Sequence, residues 1–138
     1  MKAYFGRRYL VSASHRLHTQ ALTAAQNSKV YGKCNSAHGH GHNYVVEILV
    51  GGAVDAATGM VVDLVALDRA VGERILDRFD HANLNLDPLF ANRVPTTENL
   101  CISIYDIVKR GFKAAHLEKV RIEETMMNSF EYAGEEGR

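Results

Sequence analysis

One stretch of the 138-residue chain concentrates residue types that bind metals. From Cys34 to His42 it carries one thiol and three imidazoles, separated by glycines and small residues. The β-branched run after these histidines predicts a strand over residues 40–50. Because side chains alternate along a strand, His40 and His42 would point to the same face. Two such imidazoles supply part of a zinc site, and a catalytic zinc site typically has three protein ligands.

His15 is the candidate for the third ligand, because it ends a predicted strand over residues 4–15 on its apolar face. Three histidines at strand ends could also be ordinary surface residues, but their arrangement favours a metal. His38 leaves the ligand set open. His38 and His40 are spaced as well as His40 and His42, and spacing alone does not choose between these pairs.

Cys34 could act as a base or nucleophile if a nearby cation or metal lowered the pKa of its thiol. The alternative is a small buried hydrophobic residue, which is the better interpretation for Cys101 in the apolar stripe of a predicted helix. Asp80 and His81 place a carboxylate and an imidazole in one loop, where a histidine can shuttle protons. As sequence neighbours they are not expected to face each other, and a capping aspartate beside an exposed histidine is an equal alternative.

Glu124 follows the alternation of the apolar residues in its predicted strand, which places a carboxylate on the inward face. A buried carboxylate needs partners, so Glu124 has either a functional role or a structural salt bridge. Thr96 and Thr97 precede a predicted helix and are most simply caps, with Glu98 in the first turn.

The elements that would position these groups follow the order β-β-α-α-β-β. This order predicts an α+β fold with a four-stranded antiparallel sheet and two helices on one face. Asp63 is expected to cap the first helix, and the last two strands lie around residues 120–124 and 130–132. Residues 16–33 are expected to form a loop with a short helical turn at residues 23–26. The length predicts one domain over residues 1–138.

The amino-acid composition argues against several classes of binding partner. Sixteen basic and sixteen acidic residues cancel, so the chain shows no electrostatic signature of nucleic-acid or anionic-membrane binding. No apolar run approaches the length of a membrane span, and the N-terminus does not resemble a signal peptide. We therefore expect a cytoplasmic protein with reduced cysteines, without nucleic-acid or membrane partners.

Seven segments carry a family resemblance that covers nearly the whole chain. They are SASHRLH (12–18), YGKCN (31–35), GHGHNY (39–44), GMVV (59–62), DHANL (80–84), TTEN (96–99) and ET (124–125). In this order they resemble the motifs of the 6-pyruvoyltetrahydropterin synthases. The resemblance implies a tunnelling fold (T-fold) whose subunits form trimeric barrels that stack into a hexamer, a dimer of trimers with sites at subunit interfaces.

The same resemblance implies roles for individual residues. Zinc would lie on His15, His40 and His42, and Cys34 would be the base that moves protons on the substrate side chain. Asp80 and His81 would assist Cys34 as a relay from a neighbouring subunit. The pterin ring would be anchored by Glu124 with the help of Thr96, Thr97 and Glu98.

The reaction implied by the family belongs to tetrahydrobiopterin biosynthesis. It removes triphosphate from 7,8-dihydroneopterin triphosphate and rearranges the side chain to a diketone, with zinc and magnesium. Ala37-His38 and Met126-Met127 depart from the family pattern, so the related 6-carboxytetrahydropterin synthases of the queuosine pathway are an alternative, with the same substrate. They tend to carry Cys-x3-His-Gly-His, as in Cys34 to His38, whereas the pyruvoyl type carries Cys-x5-His-Gly-His, as in Cys34 to His40.

Two features favour the longer, pyruvoyl-type spacing. Asn43-Tyr44 comes directly after His42, and the loop between His15 and Cys34 is long. An alternative of another class is a zinc- or pterin-binding protein of the same fold without turnover. The retained Cys34 argues against it, because binding alone requires no thiol base.

Overall fold

The computed structural model of the chain describes residues 2–135, so both ends of the predicted 1–138 domain lie outside the described residues. Its centre is a five-stranded sheet in the order β3-β1-β2-β4-β5. The strands are β1 (Ala3–His15), β2 (His40–Gly52), β3 (Ala82–Asn83), β4 (His116–Thr125) and β5 (Asn128–Tyr132). All neighbours are antiparallel except β3, which pairs in parallel with the end of β1.

The helical segments lie between β1 and β2 and between β2 and β4. They are α1 (Ala24–Tyr31), α2 (Leu64–Val71), α3 (Asp77–Phe79) and α4 (Thr97–Gly111). A π-helical segment, Gly72–Leu76, joins α2 to α3, and a 3-10 turn over Gly32–Asn35 comes after α1. Two more 3-10 turns, Leu84–Leu86 and Pro88–Phe90, lead towards α4. Within residues 2–135, no helix has the length and apolarity needed to span a bilayer.

Strand alternation divides the sheet into two faces. One face, which we call the helix-covered face, contributes fully buried side chains that join residues of α2 and α4 in a hydrophobic core; they include Val11, Val46, Ile48, Val120 and Ile122. The other face carries ion pairs such as Arg8–Glu47 and Lys119–Glu131. This division confirms that His15 lies on the apolar face of β1, in phase with Val11 and Ala13.

Local sequence signals explain where the helices begin. The Asp63 carboxylate accepts a hydrogen bond from Ala66 N at 3.1 Å and caps α2, as predicted. The Thr96 hydroxyl accepts from Asn99 N at 3.1 Å and caps α4. Thr23 and Gln26 form a capping box at the start of α1.

The predicted α+β class is correct, but the counts of its elements need correction. The sheet has five strands where four were expected, because the short β3 adds to the edge of β1. The segment 16–33 contains the eight-residue α1 and is not a loop with one helical turn. Its apolar periodicity is weak because its one buried residue is Asn27, which is held by hydrogen bonds.

Candidate active site

Three imidazoles meet where β1 ends and β2 begins. The register pairs His15 with His40, and alternation turns His42 to the same face. One nitrogen from each ring lies within 4.8 Å of the other two, and His15 Nε2 lies 3.1 Å from His40 Nε2. The structure thus brings together the three histidines that the family resemblance implied as ligands.

The ring of His15 is oriented by its second nitrogen. His15 Nδ1 lies 2.8 Å from the carbonyl oxygen of Pro95 and 3.2 Å from the hydroxyl of Tyr44. A carbonyl accepts only from a protonated nitrogen, so Nδ1 carries the proton and the Nε2 lone pair faces the other two rings. Burial lowers the pKa of His15, despite the bond to Pro95, and keeps the ring neutral. This second contact to a carbonyl is typical of histidines that bind metals.

His42 supplies the test of whether a metal fits. Among residues 2–135, the buried Nε2 of His42 has no hydrogen-bond partner, and Glu124 Oε1 lies too far away, at 3.9 Å. Burial also lowers the pKa of His42, although the charge of Glu124 opposes this shift. An unpartnered buried nitrogen costs free energy that a metal ion would recover. Neutral imidazoles are favourable zinc ligands, so the residues present fit zinc.

His38 lies outside this cluster. Its side chain is exposed, and the three converging nitrogens belong to His15, His40 and His42. His38 precedes β2 and lies in a turn. The alternation of side chains begins with the strand at His40, so it does not orient His38 towards the cluster. The geometry therefore matches the Cys34-to-His40 spacing and not the Cys34-to-His38 spacing.

Cys34 is held close to the chain that leaves β1. Leu17 N donates to the carbonyl of Cys34 at 2.8 Å, and the Asn35 amide donates to the carbonyl of Leu17 at 2.7 Å. Burial, and then the negative charge of Glu124, raise the pKa of the half-buried Cys34 thiol. Without a cation the group is a thiol, and a metal beside it would lower its pKa.

Glu124 joins the cluster from β4. Its carboxylate accepts a short hydrogen bond from the Thr97 hydroxyl, and its other oxygen faces His42. Burial raises the pKa of Glu124, but the Thr97 hydrogen bond, with attraction to His42 whenever that ring is protonated, outweighs it, so the pKa lies below its usual range. The carboxylate is therefore ionised at neutral pH.

The structure separates the roles of the residues at the start of α4. Thr96 is the cap, whereas the buried Thr97 hydroxyl donates to Glu124, so the simple interpretation of Thr97 as a cap was wrong. Thr97 is the first residue of α4 and turns its side chain towards the sheet. Glu98 is exposed, and its side chain forms no hydrogen bond or ion pair within the described part of the chain.

Asp80 and His81 contact each other, contrary to the expectation for sequence neighbours. Asp80 accepts from Ser12 N at 2.9 Å, and its other oxygen lies 3.1 Å from His81 Nδ1. The contact is possible because His81 has a left-handed backbone, with φ of 62°. Within residues 2–135 of one chain, neither residue forms a hydrogen bond or ion pair with Cys34, Glu124 or the imidazoles. A cleft of about 510 Å³ is, however, lined by both His42 and His81.

Sequence reasoning missed two groups that orient His15. Tyr44 is in phase with His40 and His42, and a buried tyrosine hydroxyl requires a partner, so this role could have been found from the pattern. The Pro95 carbonyl could not, because backbone groups carry no residue-specific signal.

The comparisons with known proteins identify the family of the chain. The family model described as 6-pyruvoyl tetrahydropterin synthase matches residues 6–135. The chain is 46% identical to a Drosophila melanogaster 6-pyruvoyl tetrahydrobiopterin synthase, over 96% of this chain and 80% of that protein. It is 34% identical to a putative 6-carboxy-5,6,7,8-tetrahydropterin synthase of Archaeoglobus fulgidus, over 75% of this chain and 82% of that protein.

A solved structure extends the agreement to the fold. The Caenorhabditis elegans 6-pyruvoyl tetrahydropterin synthase superimposes with a TM-score of 0.93 at 40% identity, covering 98% of this chain and 97% of that one. The predicted T-fold is thus confirmed. The chain belongs to the 6-pyruvoyl tetrahydropterin synthase family and is a lyase of that type.

Proposed function

We propose that the protein is a zinc-dependent 6-pyruvoyltetrahydropterin synthase. It would convert 7,8-dihydroneopterin triphosphate to 6-pyruvoyltetrahydropterin with elimination of triphosphate. The observation that carries the proposal is the cluster of three imidazoles, with an unpartnered His42 nitrogen, beside the Glu124 carboxylate. The name of the Drosophila relative supports the same product.

The protein's own residues would orient the substrate first. An ionised Glu124 accepts hydrogen bonds from the N–H groups of the pterin ring, and the Thr97 hydroxyl fixes the direction of its carboxylate. Thr96 and Glu98 would complete this anchor at the start of α4. The side chain of the pterin would then extend towards His15, His40 and His42.

The thiol of Cys34 would remove and return protons on the substrate side chain. When bound at the three histidines, zinc polarises hydroxyl or carbonyl oxygens, acidifies adjacent C–H bonds and favours the thiolate. Magnesium would accompany the triphosphate, because phosphate oxygens are its preferred ligands.

Asp80 and His81 would act as a proton relay supplied by a neighbouring subunit of a hexamer, a dimer of trimers. Two observations support this arrangement. The pair makes no polar contact with the cluster of its own chain in residues 2–135, and the His81 side chain is 81% exposed. We also infer a cytoplasmic location, because Cys34 and Cys101 are both free, as is typical of reducing compartments.

The 6-carboxytetrahydropterin synthase reaction is the second candidate, because the chain contains the shorter spacing from Cys34 to His38 and is similar to the Archaeoglobus protein. The exposed His38 argues against it, since that residue lies outside the imidazole cluster. The identity to the Drosophila relative, 46% against 34%, also favours the pyruvoyl type.

The experiment is mass spectrometry of the products formed by zinc-loaded protein with magnesium and 7,8-dihydroneopterin triphosphate. A triphosphate-free diketo pterin supports the proposal, whereas a carboxypterin with loss of a two-carbon fragment identifies the second candidate. Unchanged substrate with zinc bound contradicts both.

The role of Cys34 is tested by comparing the two cysteines. We expect Cys34→Ala to retain zinc and pterin binding but lose product formation, at least about 100-fold. The matched control is Cys101→Ala, because Cys101 is fully buried in the core and donates to Val120 O at 3.2 Å. That variant should lose stability by about 1–2 kcal/mol and retain turnover. Full turnover by Cys34→Ala would show that another group is the base.

A further inference from the structure

A second, smaller crevice is lined in part by His15. It has a volume of about 250 Å³ and is lined by residues that include His15, Arg16, His38, Gly39, Asn83 and Asn85. This volume is several times the roughly 30 Å³ of one water molecule, so the crevice admits a group of many atoms. None of its lining residues is acidic.

Arg16 gives the crevice a permanent positive charge. The Arg16 backbone is fixed by Asn85, whose side chain accepts from Arg16 N at 2.6 Å and donates to Arg16 O at 2.9 Å. The guanidinium donates through Nε to the carbonyl of Asn35 at 3.2 Å, which leaves its terminal nitrogens without a protein acceptor among residues 2–135. The guanidinium is therefore held in place, while its positive charge is not neutralised by a protein carboxylate of the described residues.

Four other arginines of the described residues, Arg7, Arg8, Arg78 and Arg121, lie against carboxylates. No carboxylate of residues 2–135 lies within ion-pairing distance of Arg16. An unpaired guanidinium in a crevice without acidic groups favours an anion, and its planar N–H groups match phosphate oxygens.

The turn before β2 lines the crevice and lies close to the end of β1. Gly39 has φ of 71°, and a Cβ atom at this position would lie 2.7 Å from the carbonyl oxygen of His15. Glycine therefore allows this turn to approach the end of β1. The exposed ring of His38 lines the same space, and an imidazole carries at least one N–H donor in either protonation state.

We propose that this crevice binds the triphosphate group of the substrate, with Arg16 as its main cation and His38 as an additional donor. This inference rests on the proposed function, because it takes a pterin triphosphate as the substrate. The phosphates at Arg16 would then lie beside His15, and the pterin ring at Glu124 would lie beside His42. His38 would serve substrate binding and not metal binding.

The test compares two ligands by calorimetry on the full chain: the magnesium salt of inorganic triphosphate and 7,8-dihydroneopterin, which has no phosphate. We expect Arg16→Gln to weaken triphosphate binding about tenfold or more and to leave dihydroneopterin binding unchanged. His38→Asn should weaken triphosphate binding by a smaller factor. The control is Arg69→Gln, which removes the same charge from an exposed position on α2 and should bind both ligands as the unmodified protein does.

Each outcome has a definite meaning. The proposed triphosphate site is wrong if the unmodified protein does not bind triphosphate. It is also wrong if Arg16→Gln and Arg69→Gln bind triphosphate equally well. If Arg16→Gln unfolds, His38→Asn decides, because its exposed side chain is not part of the core. Absence of dihydroneopterin binding contradicts the proposed function instead, so the two failures are distinguishable. Metal analysis after each titration checks that triphosphate has not removed zinc.

Discussion

The middle and the end of the helix-covered face are formed by the same strands, but they bury different kinds of side chain. In the middle, Val11 and Ile48 are fully buried in the core, where removal of apolar surface from water stabilises the fold. His15 lies two positions after Ala13 in β1. The same alternation buries it, so that His15 is only 1% exposed. Its polar ring requires the Pro95 carbonyl and the Tyr44 hydroxyl as partners. Strand alternation therefore decides which side chains are buried, and the residue type decides whether burial contributes stability or ligand binding.

The strongest test of this comparison exchanges one residue from each region. We expect His42→Ala to weaken zinc binding at least about 100-fold and to abolish turnover, with little change in stability. Its side chain is only partly buried, whereas Ile48 is fully buried. Ile48→Ala should lower the free energy of unfolding by about 2–5 kcal/mol and leave the ligand set intact. Zinc content and urea denaturation measure the two effects.

His38→Ala is the matched control for the ligand set. It lies in the same short segment, but its ring is exposed and outside the cluster. Zinc content should equal that of the unmodified protein. Loss of zinc from His38→Ala with retention in His42→Ala would move the site to the shorter spacing and contradict the comparison of regions.

A smaller effect, on pterin binding, is expected at β4, where two neighbouring glutamates lie on opposite faces of the sheet. Glu124 faces His42 and accepts from Thr97, whereas Glu123 pairs with Arg121 on the outer face. We expect Glu124→Gln to weaken 7,8-dihydroneopterin binding about tenfold, because an amide replaces the charged acceptor. Zinc binding should be retained.

Glu123→Gln removes the same charge from the same strand and should leave pterin affinity unchanged. Calorimetric titration of both variants makes the comparison. If Glu124→Gln binds the pterin normally, Glu124 has only a structural role beside Thr97 and His42.

Strand periodicity allowed much of the candidate site to be predicted from the sequence. His15, His40 and Glu124 were assigned to one face by strand phase, and the structure places them there. Asp63 and Thr96 were recognised as caps because capping depends on local residue types. The assigned functional roles of these residues stay predictions.

Long-range and polar contacts were beyond the sequence. The helix α1 was missed because its one buried side chain is Asn27, which is held by the Thr19, Leu22 and Thr23 carbonyls and carries no apolar signal. The two-residue β3 depends on tertiary pairing with β1. The contact of Asp80 with His81 accompanies a left-handed backbone at His81, which is uncommon for residues other than glycine.

The smallest expected effect is a pH dependence that arises at the end of the sheet and not in its middle. Burial lowers the pKa values of His15 and His42 below the ordinary 6.5, so protonation favours the unfolded chain. Their contribution to the free energy of unfolding is therefore full above pH 6.5 and is lost as the pH falls through the lowered values. In urea titrations of metal-free protein we expect a decrease on the order of 1 kcal/mol below that pH. Bound zinc should move the decrease to lower pH, because metal competes with protons for the same nitrogens. A metal-free protein equally stable across this range would show that the imidazoles are not buried as neutral rings.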